Sequence, residues 1–193
     1  LDNGLRVILS VDTAAPVVAV AVYYDVGSRN ETRGRTGFAH LFEHMMFQKS
    51  KHVPEDAYFR TLEAAGSSDI NGTTDQDRTN YFETVPSNQL ELALWLESDR
   101  MGYLLDEITA KSFKNQQDVV KNEVKVNVLN QPYGSFPWID LPMAANTNWY
   151  NAHNFYGDLE HLDAANLEDV KRFFKTYYAP NNAVLVVVGD FDP

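Results

Sequence analysis

Residues 36–49 read Thr-Gly-Phe-Ala-His-Leu-Phe-Glu-His-Met-Met-Phe-Gln-Lys, and this stretch is the most informative in the chain. Its apolar residues repeat at helical spacing, which predicts a helix over residues 38–48. Side chains four residues apart share one face of a helix, so His40 and His44 can direct two imidazoles at one ion. Glu43 lies beside that face and can reach a nearby water molecule. The pattern predicts a metal site with an adjacent general base.

The spacing H-x-x-E-H is the reverse of the H-E-x-x-H zinc motif and is the inverzincin signature. A catalytic zinc ion takes three protein ligands and keeps one position open. The chain contains no cysteine, so such a site has to use histidine and carboxylate ligands. The five-residue pattern alone leaves an alternative open, in which the two histidines and the glutamate simply lie on an amphipathic helix and bind no metal.

The composition limits the possible classes of protein. The chain has 193 residues, of which 44% are hydrophobic and 12% aromatic, enough for one domain with a substantial core. The formal net charge of −11 argues against nucleic acid and against docking on anionic membranes as partners. The longest apolar stretch, 17–24, is too short to cross a bilayer.

The pattern of apolar and turn-forming residues predicts an α+β fold with a mixed, mostly antiparallel sheet of about five to six strands packed against several helices. Strands are expected at 5–11, 17–26, 69–74, 79–85 and 183–189. Helices are expected at 38–48, 55–65, from Ser87 past Leu105, at 112–129 and at 167–178. Residues 1–193 are expected to form a single domain. The start at a leucine and the end at Gly-Asp-Phe-Asp-Pro are typical of a piece trimmed at both ends.

Three expectations concern how these elements pack. The strand over 17–26 follows a proline, is rich in valine, and is expected to be central and buried on both faces. Ser87 is expected to be the N-cap of a helix whose apolar stripe consists of Leu90, Leu94, Met101 and Leu105. Residues 130–156 are aromatic and contain three prolines, and they are expected to form short helical pieces and loops that cover an edge of the core.

The stretch at 36–49 closely resembles the pitrilysin/insulinase family of zinc peptidases. Further likenesses are the opening LDNGLRV, the segments NGTT at 71–74 and DRTNY at 77–81, and YAPNNA at 178–183. The resemblance implies a zinc metalloendopeptidase with one Zn²⁺ per chain, and it identifies the chain as the N-terminal domain of four related domains. It also implies that a C-terminal half or partner subunit closes over the site and supplies groups that stabilise the oxyanion.

The resemblance assigns the third zinc ligand to Glu123, on a helix whose apolar stripe is Phe113, Val120 and Val124. On the residues alone, Glu123 could equally be a solvated helix glutamate, and Glu63 is a rival ligand. The end-of-helix setting of Glu63 favours a surface or capping role. His52, His153 and His161 are isolated and are expected to be surface or hydrogen-bonded structural histidines. Several relatives carry an acidic residue where this chain has Gln116, which cannot hold a negative charge near the metal.

The resemblance further implies that peptides bind as an added strand along Asn71, Gly72, Thr73 and Thr74, next to Glu43 as general base. From the residues alone, Asn71-Gly72 could be a simple hairpin turn. Two other functions remain open: a catalytically silent partner or scaffold subunit, and a peptide-binding module of the same fold.

Overall fold

Five strands form one mixed sheet in the computed structural model, which describes residues 1–193. They are β1 (Arg6–Val11), β2 (Val17–Tyr24), β3 (Ser68–Thr74), β4 (Thr79–Pro86) and β5 (Ala183–Gly189). Their order is β1-β5-β2-β4-β3, which leaves β1 and β3 as edge strands. Only the β1–β5 pairing is parallel, and the other three are antiparallel. The predicted α+β class and the mostly antiparallel sheet are confirmed, with five strands.

Eight helices accompany the sheet: α1 (Phe38–Met45), α2 (Ala57–Ala64), α3 (Leu90–Tyr103), α4 (Ala110–Val124), α5 (Leu141–Ala145), α6 (Trp149–Ala152), α7 (Leu159–Ala164) and α8 (Leu167–Tyr177). Helix α4 continues into a wider π-helical segment, Lys125–Leu129, so it ends where the sequence predicts. No helix combines the length and the hydrophobicity that a membrane crossing requires.

Strand β2 is central, as predicted, but it is buried on one face only. Val18, Val20 and Val22 point into the core and are fully buried, whereas Val17 and Tyr23 are 42% and 41% exposed. The prediction of burial on both faces is therefore wrong. The helices in contact with the sheet cover a single face of it, and side chains alternate between faces along a strand.

The prediction for α3 is wrong in two respects. Ser87 begins a short 3₁₀ turn that leads into α3, and its side chain makes no capping hydrogen bond. The predicted stripe of Leu90, Leu94, Met101 and Leu105 is only half-buried. The fully buried face instead combines Ala93 and Leu96 with the charged residues Glu97 and Arg100. A hydrophobic pattern cannot identify buried charged residues.

Those charges belong to a buried cluster between α2, α3 and β4. The Arg100 guanidinium pairs with the Glu97 carboxylate and lies over the rings of Tyr58 and Tyr81, 4.5 and 4.4 Å from their centroids. Glu83, 1% exposed, lies in the same cluster and is contacted by the Tyr58 hydroxyl at 3.5 Å. One arginine thus faces two buried carboxyl groups.

The aromatic segment 130–156 forms short helical pieces, as expected, but most of it does not cover the core. Tyr133, Trp138 and Met143 are 90%, 55% and 54% exposed. Aromatic residues are buried only on average, and the prediction that this segment covers an edge of the core is wrong for most of its length. The end of the segment, from Trp149 onward, packs against the rest of the chain, and the Arg33 guanidinium lies 4.8 Å from the Trp149 ring centroid.

Candidate metal centre

Helix α1 begins at a junction that the sequence specifies locally. Gly37, its N-cap, has φ +87°, a left-handed conformation that glycine adopts without strain. Glycine has no side chain with which to cap the helix, and the Glu31 carboxylate takes over this function by accepting from the Ala39 N–H at 2.9 Å. A carboxylate at this position is also favoured by the helix dipole. The junction fixes the start of the helix that carries His40.

The structure brings His40, His44 and Glu123 together. The two Nε2 atoms are 3.3 Å apart, and the Glu123 carboxylate oxygens lie 3.6 Å from His40 Nε2 and 3.0 Å from His44 Nε2. The exposed fractions of the side chains rise from 6% for His40 to 22% for His44 and 33% for Glu123. The cluster therefore has a buried side and a side open to solvent.

These donor atoms fit a zinc ion. Ligands about 2.0–2.1 Å from a tetrahedral zinc lie about 3.3 Å from one another, close to the three separations observed. Hydrogen bonds with His40 and His44 hold the pKa of Glu123 well below its usual range, so its carboxylate is ionised and ready to bind a cation. Two imidazoles and one carboxylate are a donor set that catalytic zinc sites use.

Helix α4 places Glu123 at the site because its apolar face is buried beside α1. Phe113, Val120 and Val124 are 5%, 0% and 2% exposed, as the predicted stripe requires. Thr109 is the N-cap of the helix, and its hydroxyl accepts from the Ser112 N–H. Glu123 lies on the flank of this buried face, where its carboxylate meets the two histidines.

The rival ligand and the remaining histidines do not belong to the donor set. Glu63 is exposed near the end of α2, as the alternative surface interpretation predicted. His52 bonds to the buried Asp99 at 2.5 Å, His153 to Glu31, and His161 to the Thr36 hydroxyl. All three are hydrogen-bonded structural histidines, as expected.

Glu43 is on the side of α1 that faces β3. Its Oε2 accepts from the Thr74 hydroxyl at 2.6 Å, and Thr74 is the last residue of the edge strand. The carboxylate therefore lies between the donor cluster and the sheet edge, and it is fixed there by a hydrogen bond. No local pattern predicts this contact, because it joins residues that meet only in the folded chain.

Strand β3 is an edge strand, and the predicted substrate residues lie along it. Asn71 Oδ1 accepts from the Gly72 N–H at 2.9 Å, and the Thr73 hydroxyl donates to Asn80 Oδ1 at 2.6 Å. The side chains of Asn71, Thr73 and Thr74 are thus engaged within the chain. A Cβ on Gly72 would lie 3.0 Å from a Phe47 ring carbon and 3.2 Å from the Cγ of Glu43. The absence of a side chain at Gly72 therefore allows α1 to pack against β3.

Sequence reasoning missed one aromatic residue at the site. The Tyr156 ring packs edge-on against the His40 ring, with centroids 5.5 Å apart. Burial raises the pKa of Tyr156, and the carboxylates of Glu123 and Glu43 raise it further. A neutral phenol thus lies within the field of both carboxylates. Gln116, the position without an acidic residue, is buried in α4 and is 6% exposed.

Comparisons with known proteins agree with this geometry. Residues 6–135 match the family described as Insulinase (Peptidase family M16), and residues 164–193 match the description Peptidase M16 inactive domain. The chain is 31% identical to the zinc protease PqqE of Helicobacter pylori, over 98% of this chain and 42% of that protein. It is 26% identical to the human mitochondrial cytochrome b-c1 complex subunit 1, over 98% of this chain and 38% of that subunit.

A solved structure also resembles this chain along its whole length. The crystal structure of a protease from Helicobacter pylori matches with a TM-score of 0.92 and 30% identity, over 100% of this chain and 45% of that chain. This chain spans less than half the length of each of these relatives. The chain belongs to the insulinase family, peptidase family M16.

Proposed function

We propose that the protein containing this chain is a zinc-dependent metalloendopeptidase that hydrolyses peptide bonds of extended peptides. The observation that carries the proposal is the convergence of His40, His44 and Glu123, whose donor atoms all lie within 4.8 Å of one another, beside a carboxylate fixed at the sheet edge. The similarity to a named zinc protease supports the same function.

In this proposal His40, His44 and Glu123 hold the zinc ion. When bound, the ion would supply Lewis-acid polarisation of the scissile carbonyl and a lowered pKa of water. Glu43 acts as the general base, taking a proton from the attacking water and later passing it to the leaving amine. The hydroxyl of Thr74 keeps the Glu43 carboxylate in place during both transfers.

The peptide binds along the free edge of β3, over Asn71, Gly72, Thr73 and Thr74. The strand's own contacts occupy three of these side chains, so the main chain is what β3 offers to a peptide. Main-chain pairing gives affinity with little preference for sequence. An added strand takes the Gly72 N–H from Asn71 Oδ1, which frees the Asn71 side chain to turn toward the peptide.

A complete site needs a donor for the developing oxyanion. We propose that a C-terminal half or partner subunit closes over residues 1–193, the N-terminal metallopeptidase domain, and supplies that donor. The share of the relatives' length that this chain spans, 42% for the zinc protease PqqE, supports this view. The isolated chain would then bind zinc and cleave peptides weakly.

The second candidate is a catalytically silent partner or scaffold subunit, or a peptide-binding module of the same fold. It is favoured by the similarity to the human cytochrome b-c1 complex subunit 1, whose name describes a subunit of a complex. The presence of His40, Glu43, His44 and Glu123 together argues for the enzyme. A silent subunit has no need of a full donor set with a general base.

Cleavage of an unstructured peptide by the full protein tests the proposal. The variant Glu43→Gln should keep its zinc and lose cleavage by about 10²- to 10⁴-fold, the usual contribution of a general base. The matched control is Glu63→Gln, an exposed glutamate on α2 that should cleave normally. Full activity in Glu43→Gln, or none in the unsubstituted protein, would refute the proposed mechanism.

A further inference from the structure

No group of the chain itself supports the ring of His40 through a hydrogen bond to its Nδ1. Such a histidine normally donates its second ring N–H to a carboxylate, carbonyl or water, which fixes the ring. Here His40 Nδ1 is buried and has no hydrogen-bond partner. The His40 ring instead packs against Tyr156 at 5.5 Å and 75° and against Phe155 at 6.5 Å and 51°. Its orientation therefore depends on where residues 155 and 156 lie.

Those two residues lie two and three positions after a buried ion-paired histidine, His153. His153 Nε2 lies 2.9 Å from Glu31 Oε2, and its Nδ1 lies 2.9 Å from the Trp149 carbonyl oxygen. The Trp149 ring stacks on the His153 ring, with centroids 4.2 Å apart and planes at 13°. The side chains of Glu31 and His153 are 0% and 5% exposed. This end of the aromatic segment is firmly anchored.

The hydrogen-bond partners of His153 indicate where the protons of the Glu31–His153 pair lie. A carbonyl oxygen only accepts, so His153 Nδ1 carries a hydrogen and donates it to Trp149. Nε2 then faces a carboxyl oxygen, and a second proton has to lie between them. The other oxygen of Glu31 accepts from the Ala39 N–H in the first turn of α1. One carboxyl group thus ties the His153 segment to the helix that carries His40.

Two further contacts fix how the segment lies on α1. A Cβ placed on Gly37 would lie 2.8 Å from the Cα of Gly157, so the two backbones touch where both residues are glycine. The Asp158 N–H donates to the Thr36 hydroxyl at 3.0 Å. The segment cannot shift along α1 without breaking these contacts.

We propose that His153, acting through Glu31, is a positioning residue for the metal centre: it holds Tyr156 and Phe155 against the His40 ring and so sets the orientation of that ligand. The inference rests on the zinc site of the proposed function. It assigns a role in the metal site to a histidine that contributes no donor atom to it.

Metal affinity and metal geometry test the inference on protein containing the full chain. Zinc dissociation constants are measured by competition with a chromophoric chelator, and the visible spectrum of the Co²⁺-loaded site reports its geometry. The variants are His153→Ala, His153→Gln and Tyr156→Leu. The control is His52→Ala, which breaks the bond between His52 and the buried Asp99 in the same way.

His153→Ala should weaken zinc binding by about 10- to 100-fold and change the Co²⁺ spectrum. His153→Gln should recover most of the affinity, because its amide can donate to Glu31. His52→Ala should bind zinc as the unsubstituted protein does. A purely structural role would lower the folded fraction but leave the spectrum of the bound ion unchanged.

Unchanged affinity and spectrum in His153→Ala would overturn the inference, as would an equal loss in His52→Ala. If His153→Ala does not fold, Tyr156→Leu decides, since it removes the ring from His40 and leaves the Glu31–His153 pair intact; wild-type affinity there overturns the inference. Failure of the unsubstituted protein to bind zinc is a separate result that overturns the zinc site itself.

Discussion

The hydroxyl of Thr74 donates to Oε2 of Glu43 at 2.6 Å. The contact joins the last residue of the edge strand to the carboxylate that flanks the metal donors. In the proposed mechanism, a peptide paired with β3 lies against the same strand that orients Glu43, the proposed general base. The hydrogen bond would then couple the position of the substrate to the position of the proton acceptor.

Removal of this hydroxyl should slow catalysis more than it weakens binding. Thr74→Val should lower kcat by about 10- to 100-fold, because a hydrogen bond to a charged group contributes about 1.5–3 kcal/mol, and it should leave KM nearly unchanged. Thr74→Ser should restore kcat. Steady-state kinetics of the full protein measure both constants, with Thr176→Val, an exposed threonine of α8, as the control. A rise in KM at constant kcat would show that Thr74 serves the peptide instead.

Gly72 should tolerate no side chain. In Gly72→Ala the new methyl group would lie 3.0–3.2 Å from Phe47, Tyr81 and Glu43, so we expect a loss of about 1–3 kcal/mol in the free energy of unfolding. Gly102→Ala is the matched control, because a Cβ there meets nothing within 4 Å inside α3 and should stabilise the chain by about 0.5–1 kcal/mol. Urea denaturation measures both. Equal effects of the two substitutions would contradict the close packing of α1 on β3.

The buried acid Glu83 should make stability depend on pH. Burial, followed by the neighbouring Glu97 carboxylate, raises the pKa of Glu83 to about 10 from a model-compound value of 4.5. Between these values the folded chain holds one proton more than the unfolded chain. The contribution of Glu83 to the free energy of unfolding is therefore fully present below the ordinary pKa of a glutamate and is lost as the pH rises toward the raised value.

Glu83→Gln should remove this slope. Denaturation at pH 6, 7.5 and 9 should show the variant gaining stability relative to the unsubstituted chain as the pH rises. Glu91→Gln, an exposed glutamate in the first turn of α3, is the control and should follow the unsubstituted profile. Parallel profiles for Glu83→Gln and the unsubstituted chain would mean that Glu83 is ionised in the folded state.

The part of the site that lies on one helix could be predicted from the sequence. The spacing of His40 and His44 fixes their common face through helix geometry alone, and Glu43 follows from the same geometry. Glu123 lies on a different helix, and its approach depends on how α1 packs against α4. From the residues alone, Glu123 could equally be a metal ligand or a solvated helix glutamate. Only the family resemblance favours Glu123 as the ligand.

What could not be predicted depends on tertiary contacts between polar groups. The buried face of α3 contains Glu97 and Arg100, which neutralise each other, so hydrophobic periodicity selected the wrong face. The bonds of Thr74 to Glu43 and of His153 to Glu31 join residues far apart in the sequence. The strands were predicted closely, since their valine-rich and alternating patterns are local signals.

The metal content of the purified protein tests the central claim most directly. The unsubstituted protein and the Glu63→Ala variant should each hold about one zinc ion per chain, and Glu123→Ala should hold none after the same dialysis, because two imidazoles alone do not complete a catalytic zinc site. Zinc retained by Glu123→Ala, or lost from Glu63→Ala, would contradict the assignment of His40, His44 and Glu123 as the metal centre.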